Sequence, residues 1–395
     1  MKTLKDIDVK NKRVLVRVDF NVSLDKSGKV IDDFRMRATV PTIKYLMEQG
    51  AKIILLAHLG RPLENIGGRS DVADLRDRFT LRPIANRLSV LIGREINLAA
   101  DCIGEAVKEQ VIQVQAGDIL MLENLRFHQG EEANEDGFAK SLAEMGEIYV
   151  NDAFAVSHRA HASVESITRF LPSVAGFLLI KEIENLLRAR DNPVHPLTVI
   201  IGGAKMSTKI KLIQNFLNKA EDIILGGALA NTVLHAQGIA VGKSIIEESM
   251  VPEINKLEIT DTKIHLPVDA LVCASRENLE SCHPGPIGFM QPHESIFDIG
   301  FDSQKLFSRV INASKMIIWN GPMGLFEVDT FAYGTRVLAE VIAESKSYSI
   351  VGGGETVAYL EKIGLVDKFS FVSTGGGAML EFLVGDKLPG LEALK

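Results

Sequence analysis

Short apolar runs recur along the chain, and segments with helical spacing separate them. The runs of the first half are "RVLVRVDF", "AKIILLAH", "DILMLENL" and "EIYVNDAF", and those of the second half are "LTVIIGG", "DIILGGA", "SKMIIWNGP", "SYSIVGGG" and "KFSFVSTGGG". Strand-like runs that alternate with helical segments are typical of βαβ units and parallel sheets. We therefore predict an α/β fold with two doubly wound, Rossmann-like parallel-sheet domains.

A single helix is predicted between the two series of strands. Residues 174–190, "VAGFLLIKEIENLLRAR", carry apolar residues at helical spacing, and "DNPVHP" ends the segment with two prolines. Because the strand pattern restarts on both flanks, we interpret this helix as an interdomain hinge. The predicted division is residues 1–172 for the N-terminal domain, 173–191 for the helix and 192–377 for the C-terminal domain. A length of 395 residues also favours two domains.

The composition is that of an ordinary globular protein, with 46% hydrophobic and 24% charged residues. A net charge of −7 gives no overall field that attracts nucleic acid or anionic membranes, so any anion site is expected to be local. The N-terminal stretch "MKTLKDIDVK" has no signal-peptide core, and no run approaches 18 apolar residues. We expect a cytoplasmic protein without nucleic-acid or membrane partners. Three cysteines without C-x-x-C spacing indicate neither a disulfide framework nor a zinc site.

The residues that follow each strand differ between the two halves. In open parallel sheets, ligands bind outside the carboxyl ends of the strands. These ends read "DFN", "HLGRP", "NLRFH" and "SHRAHAS" in the first half, and "GGAK", "GGALA", "NGPMG", "GGGET" and "STGGG" in the second. Sixteen of the 19 arginines lie in residues 1–190, whereas 21 of the 33 glycines lie after residue 190. The first half therefore offers guanidinium groups, and the second offers accessible backbone.

The arginines of the first half predict a cationic pocket for a small polyanion. A guanidinium group matches the oxygens of carboxylates and phosphates. Any one arginine is explained most simply as a solvated surface residue, but three of the four candidate arginines follow strand-like runs closely. A packing role remains open for His158 and His161. The candidates are Arg35, Arg61, Arg126, Arg159, His58, His158 and His161.

The glycine-rich strand ends of the second half predict a nucleotide site. Glycine turns that lead into helices let backbone N–H groups approach phosphates. The stretch Gly352–Thr356, "GGGET", adds a carboxylate and a hydroxyl group of the kind that a magnesium–nucleotide site uses. The P-loop and dinucleotide fingerprints are absent from the sequence. A polyanion pocket and a nucleotide pocket on two lobes that close about a hinge suggest phosphoryl transfer.

Long motifs along essentially the whole chain resemble the phosphoglycerate kinase family. They are "RVDFNV", "DDFRMRATVPTI", "HLGRP", "LENLRFHQGEE", "NDAFAVSHRAHAS", "GGAKMSTKI", "IWNGPMGLFE", "GGGET" and "STGGGAMLEFLVGDKLPG". The resemblance implies reversible transfer of a phosphoryl group between 1,3-bisphosphoglycerate with ADP and 3-phosphoglycerate with ATP. It also implies Mg²⁺ as a cofactor bound with ATP or ADP, a cytosolic monomer, and a C-terminal segment, residues 378–395, that packs back on the N-terminal domain.

The resemblance further assigns roles to single residues. The implied 3-phosphoglycerate-binding residues are Asp19, Phe20, Asn21, Arg35, His58, Leu59, Gly60, Arg61, Arg126 and Arg159. The implied nucleotide-binding residues are Gly203, Lys205, Lys209, Gly227, Asn320, Glu327, Gly353, Gly354, Glu355 and Thr356. Arg35, Lys205 and Gly376 are implied to act on the transferred phosphoryl group, and Glu355 on Mg²⁺, directly or through water.

Two details of the nucleotide motifs affect these roles. Lys209 is expected on the α-phosphate and Lys205 on the moving phosphoryl group, both on one helix face if a helix begins there. Glu355 stands where the family usually has Asp, so its carboxylate reaches farther by one C–C bond, roughly 1.5 Å.

Two other functions remain open from the sequence. One is a two-lobed protein that binds a phosphorylated anion without catalysis. The other is an NAD-dependent dehydrogenase, against which the missing dinucleotide fingerprint counts.

Overall fold

The chain folds into two compact units, seen here in a computed structural model that describes residues 1–65, 72–257 and 262–395. The first unit comprises Met1–Glu184 together with Asp386–Lys395, and the second comprises Asn185–Gly385. Each unit contains a six-stranded sheet in which all neighbouring strands are parallel. The predicted α/β fold class with two parallel-sheet domains is therefore confirmed.

The sheet of the first unit has the strand order β3-β4-β2-β1-β5-β6. Its strands are β1 (Arg13–Arg17), β2 (Lys52–Leu56), β3 (Asn97–Leu98), β4 (Ile119–Met121), β5 (Ile148–Asn151) and β6 (Ser173–Ala175). The helices are α1 (Phe34–Glu48), α2 (Val72–Phe79), α3 (Arg82–Ile92), α4 (Glu105–Gln113), α5 (Gln129–Glu132) and α6 (Asp136–Ala143), followed by α7 (Phe177–Asp191). Short 3₁₀ turns lie at Leu4–Asp6, Pro62–Asn65, Leu125–Phe127, Phe154–Val156 and Ser166–Arg169.

The core of this unit lies on its central strands. Val14, Val16, Ile53 and Leu55 are fully buried in one apolar cluster with helices on the sheet. Burying one such side chain contributes about 1.5–3 kcal/mol. Because β1 and β2 are apolar on both faces, they occupy the sheet centre and fix where their polar carboxyl ends emerge.

The sheet of the second unit has the order β15-β14-β13-β7-β8-β9, and a smaller antiparallel sheet has the order β11-β10-β12. The strands are β7 (Leu197–Ile201), β8 (Asp222–Leu225), β9 (Ile264–His265), β10 (Asp269–Cys273), β11 (His283–Pro286), β12 (Ser295–Ile299), β13 (Met316–Asn320), β14 (Tyr348–Gly352) and β15 (Phe371–Val372). The helices are α8 (Ile210–Phe216), α9 (Gly227–Ala236), α10 (Val251–Ile254), α11 (Phe301–Ala313), α12 (Tyr333–Glu344), α13 (Gly354–Lys362) and α14 (Gly377–Val384), with α15 (Pro389–Glu392) in the first unit. Short 3₁₀ turns lie at Glu248–Met250, Leu279–Ser281, Asp329–Phe331 and Val366–Lys368. The sequence pattern did not predict the antiparallel sheet.

The helix predicted over 173–191 begins later than expected. Residues Ser173–Ala175 form β6 and pair with β5, so α7 starts only at Phe177. The division between the two units falls within α7, after Glu184. Val174 is apolar and fits the helical period, but its backbone completes the edge of a sheet.

The C-terminal segment divides at Gly385 and not at residue 378. Helix α14 belongs to the second unit, and Asp386–Lys395 belongs to the first. The N–H of Gly390 donates to the carbonyl of Ser157 at 2.9 Å, and a Cβ atom at Gly390 would lie 2.6 Å from Val164 Cγ1. This segment is therefore packed tightly into the first unit.

We expect Leu391→Ala to lower the free energy of unfolding of the first unit by about 2–4 kcal/mol. Leu391 is buried at 6% exposure, so the truncation leaves a cavity under α15. Hydrogen exchange at the amides of β1 and β5 during urea titration measures this unit by itself. Lys395→Ala, at a 64% exposed side chain, is the control and should change little; equal effects of the two variants would contradict the packing role.

One disulfide, Cys273–Cys282, is present, and the sequence analysis did not expect it. In the antiparallel pair β10–β11, Val272 lies opposite His283, so the adjacent cysteines also face each other, with Cα atoms 4.2 Å apart. Cys273 and Cys282 are nine residues apart in the sequence, and that spacing alone does not indicate that they lie opposite each other in a sheet. Cys102 is a free, buried thiol.

Candidate active site

Polar residues of the first unit gather at the carboxyl edge of its sheet. Strands β4, β2, β1 and β5 are neighbours in that order, and each is followed by a predicted motif. Since parallel strands end on the same edge, motifs far apart in sequence are brought together there.

Arg35 is held at this edge by the segment that follows β1. It lies in the first turn of α1, and its Nη1 donates to Asp19 Oδ2 at 2.8 Å and to the carbonyl of Asn21 at 3.2 Å. The side chain of Arg35 is 27% exposed, whereas that of Asp19 is 6% exposed. A charge-assisted bond to a buried carboxylate therefore orients a guanidinium group that solvent or a ligand can still reach.

The loop after β2 is fixed by hydrogen bonds from its neighbours. The N–H of Gly60 donates to Asn21 Oδ1 at 2.9 Å, and Arg126 Nη1 donates to the carbonyl of Gly60 at 2.8 Å. The amide of Asn124 bonds both the N–H and the carbonyl of Leu59, at 3.2 and 2.8 Å. The predicted motifs "DFN", "HLGR" and "NLRF" are thus one connected structure.

The remaining predicted substrate residues differ in how their side chains are placed. Phe20 is fully buried in the apolar cluster and Leu59 is 5% exposed, so both can offer only backbone groups to a ligand. Arg61 is exposed and pairs with Glu64 at 2.6 Å. Arg159 Nε donates to His158 Nε2 at 3.2 Å.

A buried arginine that the sequence analysis missed lies behind this edge. Arg17 is fully buried and donates to Ser163 Oγ at 2.8 Å, and its Nη2 lies 3.1 Å from His58 Nδ1. Arginine has no acceptor, so Nδ1 of His58 accepts and Nε2 carries the proton. The signal available in the sequence was a charged residue inside the apolar run "VLVRV".

Three histidines of this edge, His58, His158 and His161, have a pKa below the usual value for histidine. Burial, together with the charges of Arg17 and Arg126, lowers the pKa of His58 well below its usual value and lowers that of His161 to about 3. Burial and then Arg159 also lower the pKa of His158. The positive charge of the predicted cationic pocket therefore resides on its arginines, and the histidines supply neutral hydrogen-bonding groups.

The two predicted lysines of the second unit occupy different environments. Lys209 is 8% exposed, and its ammonium group contacts the carbonyl of Gly202. Lys205 is exposed. Helix α8 begins only at Ile210, so Lys205 and Lys209 both precede the helix and do not share the predicted helix face.

Glycines make room for the buried ammonium group of Lys209. Gly321 has φ +97°, and a Cβ atom there would lie 2.2 Å from the carbonyl oxygen of Gly202 and 2.6 Å from Lys209 Nζ. At Gly203, with φ +85°, a Cβ atom would lie 2.8 Å from the same Nζ. The glycine-rich strand ends are therefore required by both backbone conformation and close approach.

A helix N-terminus opens beside these glycines. Gly353 precedes α13, which begins at Gly354 and carries exposed Glu355 in its first turn. Buried Thr356 accepts a hydrogen bond from the N–H of Gly321 at 2.9 Å, and Asn320 is also buried. The first N–H groups of a helix have no partner within it and are suited to bind phosphate.

Gly376 stands at the N-terminus of another helix of the second unit. It has φ +51° and immediately precedes α14.

A cleft of about 430 Å³ lies in the second unit, and four predicted nucleotide residues line it. These residues are Gly203, Gly227, Glu327 and Glu355. The volume suits a small-molecule ligand. The rest of the wall was not predicted. Its apolar members, which resemble ordinary core residues, include Ile296, Phe297, Pro322, Leu325 and Phe326, and the segment 274–276 also lines the cleft.

We expect a phosphate-bearing ligand such as ADP to bind less tightly beside Lys209 as pH rises above about 8. Burial lowers the pKa of Lys209 to about 8, while the nearby Glu355 acts in the opposite direction. Deprotonation removes the charge that would attract phosphate, so affinity falls at most about tenfold per pH unit. Calorimetric titration between pH 7 and 9.5 measures this fall, and Lys209→Met should flatten it; an equally steep profile in that variant would assign the titration elsewhere.

The lowered pKa of Lys209 also makes the free energy of unfolding rise with pH, between about pH 8 and 10.5. The folded-state pKa lies below the unfolded value of 10.5, so the unfolded chain binds more protons between about pH 8 and 10.5. The contribution of Lys209 to the free energy of unfolding therefore increases over that window.

Comparisons with known proteins match the whole chain. The family model described as phosphoglycerate kinase matches residues 4–386. The phosphoglycerate kinase of Pelotomaculum thermopropionicum is 45% identical over 100% of this chain and 98% of its own length. That of Desulforapulum autotrophicum is 46% identical over 100% of both chains. Among the described residues, the helices are too short or too polar to span a membrane.

Solved structures agree with the sequence relatives. Phosphoglycerate kinase from Pyrococcus horikoshii has a TM-score of 0.87 at 32% identity, covering 100% of this chain and 98% of that chain. The enzyme from Coxiella burnetii has a TM-score of 0.82 at 38% identity, covering 99% and 98%. The chain therefore belongs to the phosphoglycerate kinase family and is a phosphotransferase.

Proposed function

We propose that this enzyme transfers the acyl phosphate of 1,3-bisphosphoglycerate to Mg-ADP, reversibly, giving 3-phosphoglycerate and ATP in glycolysis and gluconeogenesis. The observation that carries the proposal is that the two units offer different chemical groups at the ends of their strands. An arginine-lined sheet edge in the first unit suits a small polyanion, and the glycine-rich strand ends of the second suit a nucleotide.

In the first unit, the arginines would bind the carboxylate and phosphate oxygens of 3-phosphoglycerate. Arg126 and Arg159 supply positive charge, and His58 supplies a neutral Nε2–H donor because its Nδ1 faces Arg17. Asp19 and Asn21 would hold Arg35 in place for this contact.

In the second unit, the cleft would hold the adenine and ribose of the nucleotide. Its apolar wall at Pro322 and Leu325 suits a base, and Glu327 in the lining suits ribose hydroxyl groups. Lys209 and the N–H groups at the start of α13 would bind the phosphates.

The residues of the cleft fit a magnesium ion that binds with the nucleotide. Glu355 places an exposed carboxylate in the lining beside the first turn of α13, and Mg²⁺ prefers one or two carboxylates together with phosphate oxygens and water. When bound, the ion would neutralise charge on the phosphates.

The side chain of Glu355 is one carbon longer than that of aspartate. Replacing Glu355 with aspartate therefore tests whether this carboxylate binds the ion. We expect Glu355→Asp to tighten Mg²⁺-dependent ADP binding by about two- to tenfold, since the shorter side chain loses less rotamer freedom when its carboxylate is held at the ion. Titrations of ADP with and without Mg²⁺ measure the difference. Glu361→Asp, at the other end of α13, is the matched control; an unchanged Mg²⁺ dependence in Glu355→Asp would remove this carboxylate from the metal site.

No general base is required for the transfer. The nucleophile is a carboxylate or a phosphate oxygen, and both are ionised at pH 7. Arg35, Lys205 and the backbone N–H groups near Gly376 would stabilise the charge that develops on the transferred phosphoryl group. The two ligands must meet for this step, and we propose hinge closure as the motion that unites them.

A coupled assay for ATP formation from 1,3-bisphosphoglycerate and Mg-ADP tests the proposal. ATP formation by the purified protein supports it. Folded protein that binds both ligands without forming ATP would instead be a two-lobed binding protein, and nicotinamide-dependent oxidation would indicate a dehydrogenase.

We further propose a cytoplasmic monomer whose ligands are small molecules. Light scattering tests the oligomeric state, and cell fractionation tests the location. A disulfide in a reducing compartment is commonly transient or redox-sensing.

A further inference from the structure

The disulfide Cys273–Cys282 closes a loop that forms part of the nucleotide cleft. Cys273 is the last residue of β10, and Cys282 directly precedes β11. Between them, Ala274, Ser275 and Arg276 line the cleft. One covalent bond therefore fixes the base of a segment that a bound nucleotide would contact.

The two sulfur atoms differ in accessibility. Cys273 is fully buried, whereas Cys282 is partly exposed. A thiolate from solution can therefore reach the sulfur of Cys282, and Cys273 is placed as the leaving group.

Hydrogen bonds within the loop, including those of the 3₁₀ turn at Leu279–Ser281, also hold it in position. The N–H of Ala274 donates to Ser281 Oγ at 3.0 Å, and this hydroxyl group donates to the carbonyl of Asn278 at 2.6 Å. Residues 276–280 are exposed, and the Arg276–Glu277 ion pair lies in solvent, where such pairs contribute little. The disulfide is thus the covalent restraint on this part of the cleft wall, and the other restraints on the loop are local hydrogen bonds.

We propose that Cys273–Cys282 is a thiol–disulfide modification site that sets the affinity of the cleft for nucleotide. The molecule that would reduce this disulfide is a dithiol. In the oxidised state the wall is ordered before ADP binds, whereas in the reduced state binding must also order the loop. This inference rests on the proposed binding of nucleotide in this cleft.

Reduction of Cys273–Cys282 proceeds through two successive thiol–disulfide exchanges. One thiolate of the dithiol attacks Cys282 Sγ, the bond to Cys273 breaks, and Cys273 leaves as a thiolate that takes up a proton. The second thiol of the reductant then attacks the reductant's first sulfur atom, which is bonded to Cys282 in the mixed disulfide. This breaks the mixed disulfide and releases Cys282 as a thiolate, which also takes up a proton. The protein gains two thiols, and the dithiol is oxidised to a cyclic disulfide.

Calorimetric titration of the full chain with Mg-ADP tests the proposal, before and after reduction with excess dithiothreitol. We expect the Kd to rise about five- to tenfold on reduction, as for a binding event that must immobilise a few further side chains. Binding of 3-phosphoglycerate to the same samples should not change. Thiol counting in denaturant establishes each redox state, and circular dichroism establishes that the reduced protein stays folded.

Matched variants separate this site from other thiol effects. Cys282→Ser should bind Mg-ADP like reduced protein under all conditions, while Cys102→Ala should retain the full redox difference. Equal Kd values for oxidised and reduced protein, or three free thiols after mild oxidation, would overturn the inference and leave the proposed function intact. Failure of both redox states to bind Mg-ADP would instead contradict the proposed nucleotide site.

Discussion

Replacing Arg35 with alanine is expected to lower kcat by about 10³-fold while changing the KM for ADP little. The guanidinium group would stabilise charge on the phosphoryl group during transfer, when that charge is spread over three oxygens. Its loss therefore raises the barrier of the chemical step by about 4 kcal/mol, without removing a contact to the nucleotide.

The geometry of Arg35 supports an effect of this size. The buried carboxylate of Asp19 and the carbonyl of Asn21 fix one end of the guanidinium group before substrate binds. A preorganised donor needs no reorientation during the reaction, which is the condition for strong electrostatic stabilisation.

Steady-state kinetics in both directions measure the loss. Arg37→Ala is the matched control, because Arg37 lies on the same helix but pairs with Asp33 and is 42% exposed. The control should retain nearly full turnover. Near-normal turnover in Arg35→Ala would remove its proposed role.

Lys205→Ala is expected to lower kcat by about 10²–10³-fold with only a small change in the Kd for ADP. Lys205 is exposed, so its removal leaves the fold intact, and its ammonium group is free to follow the moving phosphoryl group. Lys209 is buried beside Gly202 and would bind the nucleotide throughout the cycle.

Single-turnover kinetics and calorimetry together test this division between the lysines. Lys205→Arg keeps the charge and should recover part of the rate, while Lys209→Met should weaken ADP binding foremost. A Lys205→Ala variant that binds ADP much more weakly but keeps its kcat would reverse the assignment.

The sequence was informative where strands end. Strands such as β1 and β7 are apolar on both faces, so the polar residues after them could only lie at the edge of a sheet. This reasoning placed Asp19 and Gly203 at strand ends, and the parallel topology then groups each with residues distant in the chain. The α/β class follows from the same pattern.

Other features depended on contacts that spacing does not encode. Arg17 was overlooked because its partners, Ser163 and His58, come from distant segments. The Cys273–Cys282 bond depends on the register of an antiparallel sheet that the sequence pattern did not predict. The apolar cleft wall at β12 could not be distinguished from core, since both are selected by the same burial of apolar surface.

The position of Asp386–Lys395 in the first unit has a consequence for biosynthesis. A ribosome makes this segment after all of the second unit, yet Gly390 must pack against Ser157 and Val164 to complete the first unit. Domains usually fold in the order of their synthesis. Here the earliest part of the nascent chain must wait for residues that follow the second unit, so a translation product truncated before Asp386 would carry an unfinished first unit.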